Sequence, residues 1–406
     1  MNRYIVLILF LLSMMSSIFS NSITLWFEYE GLKQMKEIAK EFEKETGITV
    51  NIIQQKRISD KLFTTVRGNG DIPDVILVKN DEIGKLKEAN LIENVDDVKS
   101  DIENKVLSNS FEAFKVDNRV IDKETGNFIK EAHYYGVPFY FDTQVLYYHD
   151  KVFYDYGFPL YEGLTFEDLL FASYVVEDKS KGKIMGLAWG ANSPYWFPPF
   201  QWAFGKKELM ENGRIIINDD ETYNAIDFIF KNIAGNSAHL VERQGLISGF
   251  KSGKIAAMFF GTFMIPDFIK SGIEFKILPL PYIEEAGNYM TPILDYKGFS
   301  IIKGRKTKEV KRFIDFVLSK DSQVEFCENL YKFPINKEAF DKLKEKDEYF
   351  KVAYESARIG KIMPTSAYFK SKYWQGVRTM MTLILNQKEG YDGEIVEKAQ
   401  EFMDGK

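Results

Sequence analysis

The stretch ITLWFEYEGLKQMKEIAKEFEKETGITVNII, residues 23–53, changes period twice. It opens as an apolar run fit for a buried strand. Leu32, Met35, Ile38, Ala39 and Phe42 then recur at the three- and four-residue spacing of one helix face. Gly47 supplies the left-handed conformation that ends a helix, and ITVNII resumes a strand pattern. Strand, helix, strand implies a crossover between parallel strands. ISDKLFTTVRG next reads as a short helix starting at Ser59 or Asp60, GNGD as a loop, and PDVILV, from Pro73 to Val78, as a third strand. Two such units in succession open an α/β domain of the doubly wound type.

The chain has 406 residues. Single cores stop growing near about 250–300 residues, so two domains are expected. At 45% hydrophobic and 28% charged, with no low-complexity tract, the composition excludes a disordered chain and a membrane-spanning bundle. A net charge of −6 argues against a nucleic-acid partner. Cys327 is the single cysteine, so no intramolecular disulfide can form, and it reads as a small buried apolar residue rather than a reactive thiol. His133, His149 and His239 lie far apart without the paired spacing of a zinc site, and neither a metal nor any other cofactor is expected.

The N-terminal MNRYIVLILFLLSMMSSIFSNS places Arg3 before an apolar run and small residues after it. That is the order of a secretory signal peptide, over residues 1–22, and the run is short for a membrane span. The product is expected to be exported, periplasmic or extracellular. No cysteine near the cleavage zone offers a site for a lipid anchor.

Further on, YYGVPFYFDTQVLYYH (134–149) is extended, apolar and aromatic, either a buried strand or a crossover between domains. Thr165 followed by Asp168 marks a capped helix start. KIMGLAW reads as a strand, DDETYNAIDFIFKNIAG as a helix, FKSGKIAAMFF as a turn leading into a strand, and FKILPLP and FSIIK as further strands. Helices follow around 310–318, 322–330, 338–343, 350–359, 372–386 and 393–403. Between KIMGLAW and the first of these helices stands SPYWFPPFQWAFG, residues 193–205, with two Trp, three Phe, one Tyr and three Pro. The prolines disfavour a long helix or central strand there, leaving a loop or the start of a helix. Its rings either seal a core or line a binding surface.

Taken in order, LKQMKEIAKEFEKETGITV, PDV at Pro73, YYGVPF, FKSGKIAAM, LPLP at Leu278, SARIGKIMP and YWQGVRT resemble the extracellular solute-binding proteins of ABC transporters, family 1, most closely the maltose/maltodextrin-binding branch. The resemblance runs from Ile23 to about Met403. It implies an α/β, two-lobed periplasmic-binding-protein fold (Venus-flytrap), each lobe a mixed sheet flanked by helices. The lobes would be 23–140 plus 294–346 and 141–293 plus 347–406, joined by more than one chain crossing. It implies a monomer that binds a sugar or oligosaccharide between the lobes and hands it to ABC permease subunits, or else reports it to a chemoreceptor or sensor.

By the same resemblance Tyr195 and Trp196 in PYWF, Phe263 in GTFMI and Trp374 in YWQGVRT stand where sugar-stacking rings lie. Asp81, Asp142 and the pair Glu28 and Glu30 stand where acids receive sugar hydroxyls. Strand ends beside crossovers are also where open α/β sheets bind ligands. Phe200 and Trp202 are expected to face the core, and Arg378 to serve as a structural ion-pair partner. Glu82 where the family has a basic residue, Val78 for a cleft aromatic and Ser193 for an acid depart from the pattern, and put the choice of sugar in doubt rather than the fold. A glycosidase reading needs two carboxylates across a cleft, for which Asp81 and Asp142 could serve, but nothing marks either as a tuned acid, and no enzyme activity is expected. Among ligands, maltose or maltotriose stand beside trehalose and other oligosaccharides. An anionic ligand is disfavoured by Asp81 and Asp142 and by the lack of an obvious Lys/Arg cluster.

Overall fold

The computed structural model describes residues 22–121, 128–387 and 389–405, so the expected leader lies, apart from Ser22, outside the described residues. The opening stretch folds as read. Ser22–Phe27 pairs in parallel with Thr49–Gln54, from Ser22 opposite Thr49 to Phe27 opposite Gln54. Helix Leu32–Thr46 makes the crossover and buries Met35, Ile38, Ala39 and Phe42. Gly47, at φ 72°, stops it and returns its N–H to the Glu43 carbonyl. Val75–Lys79 pairs in parallel on the other side of Ser22–Phe27.

Two mixed sheets organise the molecule into two lobes. The first has six strands in the order Phe333–Pro334, Val137–Asp142, Asp295–Ile301, Val75–Lys79, Ser22–Phe27, Thr49–Gln54. The second has five, in the order His239–Leu240, Met185–Trp189, Ile255–Gly261, Gln144–Tyr148, Lys276–Leu278. The run 134–149 is both of the things it could have been. Val137–Asp142 ends in the first sheet and Gln144–Tyr148 begins in the second, with Thr143 alone between them. Every residue of both strands is buried, which is why no alternation marked them. The chain returns to the first sheet before Asp295, and after Pro334 it leaves again, as helix Glu348–Arg358 packs on the Lys276–Leu278 and Gln144–Tyr148 strands.

Aromatic abundance is largely a core property. Phe42 packs edge-on against Phe313 and Phe316 in the first lobe, and Phe166 meets Trp189, Phe200, Phe228 and Phe259 in the second. Cys327 is fully buried, and that burial pushes its thiol well above the ordinary value. Thr165 and Asp168 close the expected capping box on helix Phe166–Ser180. Pro198 and Pro199 lie in the first turn of helix Phe197–Ala203, where a missing N–H costs nothing. Helix Arg243–Lys251 was not foreseen, because it buries only Leu246 and Phe250 and so carries little period. Among the described residues no helix is long and apolar enough to cross a membrane.

Candidate ligand site between the lobes

A cavity of about 310 Å³ lies between the lobes, lined by Tyr195, Trp196, Phe260, Phe263 and Trp374 from the second lobe and by Lys79 from the first. Ser193, Glu242, Arg243 and Arg378 also reach it. The aromatic loop is held by its own turns, with Ser193 N–H on the Gly190 carbonyl at 2.8 Å and Trp196 N–H on the Ser193 carbonyl at 2.9 Å. Gln144, fully buried at the first crossing, donates to the Tyr195 carbonyl at 2.7 Å and accepts from Ile293 N–H at 2.7 Å. One side chain thus ties the loop to two inter-lobe passages.

Tyr195 is half-buried, and Trp196, buried, packs between Tyr195 and Phe259 at centroid distances of 5.4 and 5.9 Å. Phe200 and Trp202 are buried in the second-lobe core, as expected. The Tyr195 hydroxyl and the Trp374 Nε1 are both buried without a hydrogen-bond partner among the described residues. An unsatisfied buried polar atom costs about 1–3 kcal/mol, so each is a standing demand for a polar ligand atom or water. The Arg243 guanidinium lies over Phe260 and Phe263 at 5.0 and 5.2 Å. Glu242 accepts from Asn192 Nδ2 at 3.1 Å. Arg378 is exposed, lines the cavity and meets no carboxylate among the described residues, which corrects the expectation of a structural ion pair.

The acids do not gather into one wall. Glu28 caps helix Ile58–Arg67, accepting from Arg57 N–H at 2.8 Å and Ile58 N–H at 3.0 Å, and lines a second, outer cavity of about 830 Å³. Glu30 is exposed at 3.4 Å from Lys332. Asp142 was expected to meet sugar hydroxyls; its side chain is 0% exposed, 2.7 Å from Lys297 and 2.9 Å from Lys332, with Thr262 Oγ1 donating at 3.3 Å. It sits beneath the crossing and presents no atom to the cleft. Burial alone would push the Asp142 carboxyl up, but the two ammonium groups outweigh it and hold it below the ordinary carboxylate range. Asp295 is treated in the same way by Lys297 and Lys79, each at 3.0 Å. Charges alternate along Glu30, Lys332, Asp142, Lys297, Asp295 and Lys79.

Asp81, expected to meet sugar hydroxyls, lines neither cavity and instead pairs across the cleft with Lys370. Its Oδ2 is 2.5 Å from the Lys370 ammonium, and its Oδ1 is buried with no partner. Because Asp81 and Asp142 are each matched by lysine, the repulsion expected to exclude an anion is absent. Lys79, Arg243 and Arg378 line the inner cavity against Glu242, a basic group that sequence reading did not find. Lys79 closes the same strand end that drew attention to Asp81 and was legible by that rule. Arg243 had no such signal.

The profile of the bacterial extracellular solute-binding proteins matches residues 29–324. The chain belongs to that family. It is 24% identical over 290 residues to the maltotriose-binding protein of Pyrococcus abyssi (strain GE5 / Orsay), a match that covers 70% of this chain and 58% of that one. It is 23% identical over 370 residues to the galactooligosaccharide-binding protein of Bacillus subtilis (strain 168), covering 86% and 81%. The solved structure of the Thermus thermophilus maltotriose binding protein bound with maltotriose superimposes with a TM-score of 0.76 at 20% identity, over 94% of this chain and 99% of that one. That likeness shows the two-lobed fold.

Proposed function

We propose that this chain is the exported substrate-binding component of a carbohydrate ABC importer, which holds an oligosaccharide of maltodextrin type between its lobes and delivers it to the membrane permease as a monomer. One observation carries the reading: five aromatic rings share the inner cavity with two buried donors, Tyr195 Oη and Trp374 Nε1, that have no partner among the described residues. Rings suit the C–H faces of a sugar, and unpaired donors suit its hydroxyl oxygens. Relatives that bind maltotriose and galactooligosaccharide support the same class of ligand. Residues 23–140 with 294–346 would form one moving lobe and 141–293 with 347–406 the other. A ligand then closes them only as far as it binds the closed form better.

Arg243 and Arg378, lining the cavity without a carboxylate partner among the described residues, favour a second reading in which the saccharide carries an acid group. A thermal-shift screen against maltose, maltotriose, trehalose, galactobiose, digalacturonate and glucose 6-phosphate, with the ligand recovered afterwards, separates the two. At 100 times its dissociation constant a ligand adds about 2.7 kcal/mol, a plainly raised midpoint. A neutral sugar that shifts the midpoint and returns intact supports the first reading. A shift confined to the acidic sugars supports the second. No shift with any of them, or a cleaved sugar, overturns both.

A further inference from the structure

The space between the lobes is divided in two. The inner cavity of about 310 Å³ and the outer one of about 830 Å³ have no lining residue in common. Helix Ala367–Leu385 runs along both: Lys370 lines the outer cavity, and Trp374, one turn later, the inner. The Lys370 ammonium stands 5.5 Å from the Trp374 ring centroid, 2.5 Å from Asp81 Oδ2 and 3.1 Å from Glu82 Oε1. Both acids belong to the 3-10 turn Asn80–Glu82 of the first lobe, so this cluster crosses the cleft.

It is not a loose surface pair, since the Asp81 and Lys370 side chains are only 11% and 29% exposed. Burial pulls the Lys370 ammonium down, and Asp81 and Glu82 outweigh that pull, keeping it charged. The start of the helix also meets the first lobe backbone to backbone. A Cβ built on Gly84 would lie 2.1 Å from the Thr365 carbonyl oxygen and 2.6 Å from Ala367 N, so only glycine lets the turn after Glu82 and the start of the helix meet.

From this juxtaposition we infer that Lys370, held between Asp81 and Glu82, is a chain-length stop that closes the inner compartment around a saccharide of one or two rings. The inference rests on the saccharide-binding function proposed above. Small-molecule sites run from about 300 to 1,000 Å³, and the inner compartment lies at the bottom of that range. A longer chain that extended along the helix into the outer cavity would part a half-buried ion pair and leave its charges uncompensated, a repulsive element that acts against long ligands only.

The test is titration calorimetry of the purified protein with maltose, maltotriose and maltotetraose, and with galactobiose, galactotriose and galactotetraose. Wild type is expected to bind the disaccharide of the recognised series at least tenfold more tightly than the tetrasaccharide. Lys370→Ala is expected to narrow that ratio at least fivefold, and Lys370→Arg to preserve it. Should Lys370→Ala fail to fold, Glu82→Gln, which removes one of the two anchoring charges, must narrow the ratio in its place. Equal binding of short and long sugars by wild type, or an unaltered ratio in the folded variant, overturns the stop while leaving saccharide binding in place. Failure of all six sugars to bind overturns the stop, since the compartment would then hold neither a malto- nor a galacto-saccharide, and leaves the other saccharides of the screen to decide the saccharide reading.

Discussion

Trp374 shows what a single side chain of this site can decide. It is half-buried, lines the inner cavity, and keeps an indole N–H with no partner. If it is a stacking floor, Trp374→Ala weakens sugar binding by about 1–3 kcal/mol, the scale of base stacking on aromatic side chains. Trp374→Phe keeps a smaller ring and loses the donor, so it costs less than the alanine change but no less than one hydrogen bond, about 0.5–1.5 kcal/mol. Titration calorimetry of both variants, with unfolding midpoints measured alongside, checks the order; unchanged affinity in both would return Trp374 to the core. The aromatic loop was half legible in the same sense. Its composition announced rings, and the structure gives Tyr195 to the cavity, Phe200 and Trp202 to the core, and Trp196 to both. Arg243 was illegible because what makes it part of the site is its place over Phe260 and Phe263, which the chain brings there from a later strand and turn. Asp142 misled for the same reason: a strand-end acid looks like a ligand until its partners Lys297 and Lys332, 155 and 190 residues away, are in view.

Among elements, the strand ends beneath the cleft depend on those buried charges. Asp142 closes one strand, Asp295 and Lys297 open its neighbour, and Lys79 ends the next. Removing one member of a buried pair leaves an uncompensated charge, so Asp142→Asn is expected to cost about 3–5 kcal/mol at neutral pH, read from denaturant unfolding. The same network sets an acid limit. The folded carboxyls of Asp142 and Asp295 titrate below their unfolded values, so their contribution is complete above an unfolded carboxylate pKa of about 4 and is lost as pH falls through the lowered folded values. The unfolding midpoint of wild type should hold steady from about pH 5 to 7 and drop below about pH 4, a drop that Asp142→Asn makes shallower. A midpoint that instead rose on acidification would contradict the network. Glu28 makes a parallel case. Helix Ile58–Arg67 has no cap of its own, because Arg57 precedes it in the left-handed region, and a carboxylate about thirty positions earlier in the chain supplies one. Glu28→Ala should cost about 1 kcal/mol of stability and leave disaccharide affinity within about twofold; the reverse pattern would restore Glu28 to the ligand contacts. Sequence reading placed that helix and could not see its cap, since capping rules look only to adjacent residues.

On the scale of the whole molecule, the doubly wound opening was legible because each crossover stamps a change of period on the chain, as residues 23–53 do. Strand order was not: Phe333–Pro334 lies against Val137–Asp142 across almost two hundred residues, with nothing local to announce it. The same distance problem governs closure. Among the described lining residues of the inner cavity Lys79 alone comes from the first lobe; its ammonium is 3.0 Å from Asp295, and its side chain, 37% exposed, still has donors for a ligand. A ligand that touched only the rings of the second lobe would bind open and closed forms alike and shift nothing. On this lining a ligand that favours the closed form would do so through Lys79. If Lys79 is the contact, Lys79→Ala lowers sugar affinity about tenfold, or about 1.4 kcal/mol, because the variant loses the preference for the closed form along with the bond. Small-angle scattering tells this from a simple loss of contact. Wild type at saturating sugar should show a smaller radius of gyration than the free protein, and saturated Lys79→Ala should keep the radius of the free protein. A variant that still contracts at saturation would show that Lys79 is not the group through which the ligand pulls the lobes together.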